Sequence, residues 1–306
     1  MPENLVFNNK NANLDFTKNL INWGLIHGRN NLPWSPDHGS EYDIYKVWIS
    51  EVMMQQTQLI TGMKFFNRFI SVFPKVEILA KADIESILTL WSGLGYYARA
   101  RNLHKSAKLI CTNGKAVFPT SAKEWEKLPG VGQSTAAAIA AFVFRERVAI
   151  TDANVTRILS RKFMLKDFIG TTILKKKINT LATKLLPAKK KEIPIYTQSI
   201  MDLGALICKP QNPTCELCPI KKNCGSYLLG QTNSFPKRKK LPPKEKKTIN
   251  WLIPVSMNFI ALSRKNHSNL WKELWVPIEL KNMPKNAKNI KKYETNLSNF
   301  ILDANI

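Results

Sequence analysis

Apolar residues recur at three- and four-residue spacings through most of residues 14–226, with short Gly- and Pro-bearing breaks between the runs. Phe65, Phe66, Phe69 and Ile70 precede Phe73 and Pro74; Ile84, Ile87, Leu88 and Trp91 precede Gly93. The pattern predicts a mainly α domain of short amphipathic helices over residues 1–226. After it the composition changes. Phe235–Lys247 mixes prolines with cations and cannot form a packed helix, so 227–248 is expected to be a basic linker. Beyond it, Ile249–Leu262 and Leu270–Ile278 are rich in β-formers and aromatics and predict strands. A Lys/Asn-rich stretch at 281–292 separates them from the end, giving a short β-containing segment at 249–306.

Length and charge narrow the classes. A chain of 306 residues, 44% hydrophobic, can bury a sizeable core. It has no apolar run of the roughly 18–20 residues that a membrane span needs. The first sixteen residues show no basic segment followed by an apolar one, so no secretory leader is expected. The net charge of +24 is expected of a polyanion-binding protein rather than of an enzyme for small metabolites. Part of that excess reflects a general richness in Lys, Asn and Ile.

Four of the five cysteines fall within seventeen residues, as Cys208-x6-Cys215-x2-Cys218-x5-Cys224. Thiolates bind soft metals, and four on one short loop can close around a single centre. All-cysteine zinc sites usually come as two C-x2-C pairs, whereas this loop has one pair with wider arms. The spacing fits a [4Fe–4S] cluster better than a zinc ribbon; disulfides or unrelated thiols are the plainer alternatives. Metal-bound thiolates imply a reducing, cytoplasmic interior. Cys111, after Leu109 and Ile110, is expected in the core. His27, His38, His104 and His267 show no metal-binding spacing.

Four further segments carry chemistry. Leu128-Pro-Gly-Val-Gly132, ahead of an alanine-rich helix, is either a tight αα-turn or a helix–hairpin–helix. In the second case Gly130 and Gly132 would let the backbone approach a DNA phosphate at the helix N-terminus. In Tyr42–Gln58, Ile44, Val47, Trp48 and Glu51 share one helical face. A carboxyl desolvated there would hold its proton towards neutrality, as a general acid must, although a rim or ion-paired glutamate is the plainer reading. Asp152 stands where an apolar run meets a new helix, a good N-cap position. Trp91–Asn102 interleaves two tyrosines and two arginines with two glycines, suited either to stacking on bases or to a buried helix junction.

Together these strings resemble the endonuclease III superfamily of helix–hairpin–helix DNA glycosylases, and most of all its adenine-excising branch. The match runs from Leu32-Pro-Trp34 to Cys224 and includes Tyr45–Gln58, Gly93–His104, Leu128–Gly132 and Met201–Ala205. The resemblance implies a two-lobed helical domain, one lobe of six helices at about 31–140 and the other joining 1–30 to 141–226 around a [4Fe–4S] cluster on the four cysteines. It implies that Glu51 protonates the departing adenine, that Asp152 stabilises the sugar cation and that Asn154 supports it. Gln56 and Tyr96 would wedge into the duplex and Trp34 would line the adenine pocket. Ser134 falls where lyase-competent members carry a Schiff-base lysine, which implies a glycosylase using water. Ala153 departs from a common glycine.

The implied substrate is adenine opposite 8-oxoguanine or guanine in double-stranded DNA, acted on by a monomer. The segment at 249–306 resembles a truncated Nudix-like recognition domain, through Asn269–Trp275 and Leu297-Ser-Asn299. A preference for 8-oxoguanine weaker than in longer relatives is therefore expected. A bifunctional glycosylase/lyase and a non-catalytic iron–sulfur DNA-binding protein remain alternatives.

Overall fold

The computed structural model describes residues 10–36, 40–239, 243–256, 259–264, 274–282, 292–296 and 300–305. His38, His267, Leu297–Asn299 and 269–273 lie outside them. The chain divides into two compact units, Met1–Lys239 and Lys240–Ile306.

The first unit is helical, as the three- and four-residue spacings require. Its helices are α1 (Lys10–His27), α2 (Ile44–Met53), α3 (Leu59–Val72), α4 (Val76–Lys81), α5 (Ile84–Trp91) and α6 (Ala98–Ile110). They continue as α7 (Ala122–Trp125), α8 (Gln133–Phe144), α9 (Ala153–Phe163), α10 (Thr172–Lys184), α11 (Ile193–Asp202) and α12 (Gly225–Leu228). Short polar side chains start several of them by accepting otherwise unpaired amides. Asp43 caps α2 through the Tyr45 and Lys46 amides, Asp83 caps α5 through Ser86, and Thr171 caps α10 through Leu174.

Trp48, Trp91 and Trp125 are fully buried, as are Phe66 and Phe69. The Trp48 and Trp125 rings pack at 5.8 Å with a 49° tilt, and Phe69 meets Trp91 edge-on at 6.1 Å. Truncating one such ring typically costs about 3–5 kcal/mol. Ala136–Ala141 are all buried, and their small side chains let α8 pack against both α2 and α11. That approach sets the Glu51-bearing helix beside the hairpin helix. Asp202, fully buried at the end of α11, accepts from the Arg29 amide (2.7 Å), Arg29 Nε (2.6 Å) and Gln198 Nε2 (2.8 Å). This network ties the chain after α1 to α11.

Three expectations change. Part of the expected linker is folded: Thr232–Ser234 forms a 3-10 turn, Phe235 is buried, and the Lys237 carbonyl accepts from the Ile169 amide at 2.9 Å. Prolines bar a helix but not an extended chain with backbone partners, so this stretch packs on the first unit. Glu245–Thr248, also expected in the linker, opens a strand. Cys111 is not in the core: it is the C-cap of α6, where the chain leaves the helix, and stays partly exposed.

In the second unit the strands are β1 (Glu245–Leu252), β2 (Val255–Ser256), β3 (Phe259–Ile260), β4 (Ile278–Leu280), β5 (Lys292–Asn296) and β6 (Phe300–Asn305). One sheet has the order β4-β1-β6-β5, with β1 and β6 parallel; β2 and β3 form a separate hairpin. The expected strand at Ile249–Leu262 is broken near Pro254, which cannot donate to a ladder. In the described part of Leu270–Ile278 only Ile278 enters a strand, and Val276 makes a single bridge to Ser263.

Candidate active site

Glu51 lies in the last turn of α2, two residues from its end. The residue is half-buried, and its carboxyl is enclosed by protein. Burial pushes its carboxyl up to about 8, and the neighbouring Asp152 charge pushes it the same way. The Asp152 charge is thus close enough to act on the Glu51 carboxyl.

Asp152 is the N-cap of α9: its Oδ1 accepts from the Val155 amide at 2.8 Å. The other oxygen, Oδ2, accepts from Asn154 Nδ2 at 3.2 Å. Burial raises this carboxyl too, opposed by the Val155 amide, Arg157 and Asn154. Asn154 Oδ1 in turn accepts from Arg157 Nη2 at 2.7 Å. Arg157 also donates to the carbonyls of Cys208 (2.7 Å) and Gly204 (2.8 Å). A side chain at Gly204 would collide with Asn154, whose Cβ lies 2.5 Å from the place a Cβ would take. Ala153 opens α9 in ordinary helical conformation, so the common glycine is not needed there.

Leu128–Gly132 forms a tight turn between α7 and α8, held by the Val131 amide on the Leu128 carbonyl (3.1 Å) and by Ser106 Oγ on the Pro129 carbonyl (3.0 Å). Gly130 has φ +77° and its missing Cβ would clash with Asn102, so both conformation and packing demand glycine. Gly132 has neither reason. It caps α8 without a side-chain hydrogen bond and faces open space, which leaves the amides of the first turn accessible to a ligand. Ser134 Oγ accepts from the Thr151 amide at 3.1 Å, tying α8 to the turn that presents Asp152.

All five cysteines are unbridged, and Cys208, Cys215, Cys218 and Cys224 line one cavity. Among the described residues no three His, Cys, Asp or Glu side chains converge on one ion. Arg161 Nη1 donates to Cys208 Sγ at 3.4 Å. Burial pushes the Cys218 thiol up to about 12, and the other three cysteines add to the effect. Four thiolates would coexist here only around a cationic centre, and the donor set fits an iron–sulfur group.

Residues 49–187 match the model of the HhH-GPD superfamily base excision DNA repair proteins. The adenine DNA glycosylase of Buchnera aphidicola subsp. Baizongia pistaciae is 39% identical over 270 residues, spanning 86% of this chain and 73% of the relative. That of Buchnera aphidicola subsp. Schizaphis graminum is 35% identical over 303 residues, spanning 94% and 85%. The chain belongs to the adenine DNA glycosylase family. It has the mainly helical fold of such enzymes: a thermostable thymine-DNA glycosylase superposes with a TM-score of 0.60 at 25% identity, covering 72% of this chain and 98% of that one. No helix among the described residues is long and apolar enough to cross a membrane.

The remaining residues singled out for the family role fall in two groups. Trp34 is buried and packs edge-on against Phe66 at 5.0 Å. Gln56 and Tyr96 are exposed and occupy the left-handed region, at φ 57° and 51°. That conformation is uncommon for a residue with a side chain and marks both turns for attention.

One of the two arginines in the Trp91–Asn102 segment joins those turns. Arg99 Nη1 donates to the carbonyls of Val52 (3.0 Å), Met53 (2.9 Å) and Gln55 (2.7 Å) at the end of α2; Nη2 reaches Gly95 at 3.2 Å. Its guanidinium also lies 5.6 Å from the Tyr96 ring. The positive charge suits the carbonyl end of the Glu51 helix, and the fork spans both turns. A lysine has one nitrogen and cannot span them. Arg99→Lys is therefore expected to slow adenine release from a mispaired duplex about 10-fold, within the range for misplaced positioning groups. The loss should shrink when the adenine is in an unpaired bulge. Equal losses on both substrates would show that Arg99 does not act through these turns. Arg157 and Arg161 escape sequence reasoning: their one signal is cations at i and i+4 on an otherwise apolar helical face.

Proposed function

We propose that the protein excises adenine mispaired with 8-oxoguanine or guanine from double-stranded DNA by acid-assisted hydrolysis of the glycosidic bond, without lyase action. The reading rests on the carboxyl pair: burial raises Glu51 to about 8, and the nearby Asp152 charge adds to the rise. Adenine leaves poorly as an anion, and its sugar becomes an oxocarbenium-like cation, so one carboxyl must be protonated and the other ionised. Glu51 delivers its proton to the adenine as the C–N bond breaks and the electron pair leaves with the base. Asp152, held by the Val155 amide and Asn154, stabilises the cation. Water then adds to the sugar carbon and loses a proton, leaving free adenine and an abasic sugar.

The target nucleotide must first be turned out of the stack. Gln56 and Tyr96 would act as the wedge, a role supported by their exposure and by the left-handed backbone at both positions. The amides beyond Gly132 hold a backbone phosphate, and the net charge of +24 supplies the sequence-independent attraction. The direct test is single-turnover adenine release from duplexes with 8-oxoguanine, guanine or thymine opposite adenine. Release from the thymine pair as fast as from the other two would sink the mispair assignment.

The absence of lyase action rests on Ser134, whose hydroxyl cannot form an imine. Ser134→Lys places an amine beside the Thr151–Asp152 turn. Borohydride is expected to trap a covalent protein–DNA complex with this variant and none with the unsubstituted protein. Trapping by the unsubstituted protein would favour the bifunctional reading.

Cys208, Cys215, Cys218 and Cys224 are proposed to hold a [4Fe–4S] cluster. Its contribution when bound is to staple the 208–224 loop into one shape. The chain's own part is to supply the four thiolates, with Arg157 and Arg161 bonded to the loop at Cys208. Purified protein is expected to contain iron and sulfide in equal amounts, and Cys218→Ser to lose both. Zinc in place of iron would overturn the assignment.

A further inference from the structure

A second concavity opens between the start of the cysteine loop and the segment that follows α12. It is open to solvent, and its lining includes Arg157, Lys209, Asn233, Ser234, Lys237 and Arg238. Among the described residues, no acidic side chain lines it. Arg157 is already bonded to Asn154 and to the Cys208 and Gly204 carbonyls, so Lys209, Lys237 and Arg238 are the cations the groove offers to an anion.

Both walls are held in place. Arg161, 2% exposed, donates Nε to the carbonyls of Thr232 (3.0 Å) and Phe235 (3.1 Å) on one side. On the other side its Nη1 and Nη2 donate to the carbonyls of Lys209 (2.6 Å) and Pro210 (3.0 Å). One buried guanidinium thus buckles the 232–235 segment to the cysteine loop. The Lys237 backbone is pinned by the Ile169 amide, and its ammonium lies 5.6 Å from the Phe235 ring. Lys209, Lys237 and Arg238 are exposed on the rim, while Arg157 is buried. Lysine and arginine beside serine and asparagine are the side chains that bind phosphate oxygens, and none of them demands a particular base.

We propose that this groove docks the phosphodiester backbone of duplex DNA, so that residues 233–238 are a DNA-contacting wall rather than a spacer. The inference rests on the proposed function only in taking DNA as the partner. A free phosphate or nucleotide shares the chemistry, and the experiment separates the two.

The affinity of the full chain for a matched duplex and for an A:8-oxoguanine duplex is measured against salt. Lys237→Gln with Arg238→Gln is expected to flatten the log–log salt dependence by about 2, one for each phosphate that the pair neutralises. Both duplexes should weaken alike, with adenine release at saturating protein unchanged. The exposed pair Lys175 and Lys176 on α10 gives a control with the same loss of charge, and its double glutamine variant should keep the original slope. An unchanged slope in the first variant, or equal flattening in both, would overturn the groove. Inorganic phosphate and ATP are titrated in parallel. Binding of either that is lost in the Lys237/Arg238 variant, with the duplex slope intact, assigns the groove to free anions and overturns the DNA reading. Matched-duplex binding does not depend on the base excised. A protein that binds with the expected slope yet releases no adenine would leave the groove standing and sink the proposed reaction.

Discussion

Glu51→Gln is expected to slow adenine release from an A:8-oxoguanine duplex by about 10³-fold, within the range of a general acid. Glutamine keeps the size and the hydrogen-bonding outline of the side chain but has no proton to give. The pH profile makes the test sharper. With the Glu51 carboxyl at about 8, release should be insensitive to pH near neutrality and fall tenfold per unit well above 8. Stability depends on the same proton. Unfolded, this carboxyl ionises near its ordinary value of 4.5; folded, it holds its proton to about 8. Between those values the native state binds more protons than the unfolded one, so the stability from this group is lost as pH rises through the window. Glu51→Gln should therefore melt at a higher temperature than the unsubstituted protein at pH 8, with the difference vanishing below pH 4.5. A variant that loses no activity, or one that loses stability at pH 8, would show that Glu51 is not a buried proton donor.

Asp152→Asn is expected to lose about 10²–10³-fold in adenine release, the scale of removing one preorganised electrostatic partner of the transition state. The substitution separates two roles that the geometry superimposes. Asparagine caps helices as well as aspartate does, so the start of α9 and its bond to the Val155 amide should persist. Only the charge beside the sugar is removed. The melting temperature should change little, whereas Asp152→Ala should lose the cap as well, at about 1 kcal/mol. Because the Asp152 charge helps to raise the Glu51 carboxyl, the alkaline limb of the Asn variant should move to lower pH. Full activity in Asp152→Asn would reduce this residue to a cap.

How much of the fold and site is legible in the chain depends on the range of each interaction. The helical character of the first unit follows from local periodicity, which also puts Val47 and Trp48 in the core. The N-cap at Asp152 is likewise a three-residue event and can be read directly. The hairpin loop is visible as a glycine pair, but not the difference between its members. Gly130 is required by a clash with Asn102, twenty-eight residues earlier, and Gly132 by nothing in the chain. The basic run at 235–247 misleads because composition excludes a helix without saying what else the backbone does. Its carbonyls are satisfied by Arg161 and by the Ile169 amide, both remote in sequence.

By itself the sequence determined the residue types, the helical periods and the cysteine spacing, since each is set within a few positions of the chain. It also carried the strings that place the protein in its family. Only the tertiary structure brought the Asp152 charge, 101 positions away, close enough to act on Glu51, and supplied the burial that raises the Glu51 carboxyl to about 8. Only the fold showed Arg99 clamping two strained turns, and Arg161 closing a basic groove. The physical reason is the same in each case. Desolvation and the convergence of donors on a carbonyl depend on which distant segments pack together, and no local pattern encodes that.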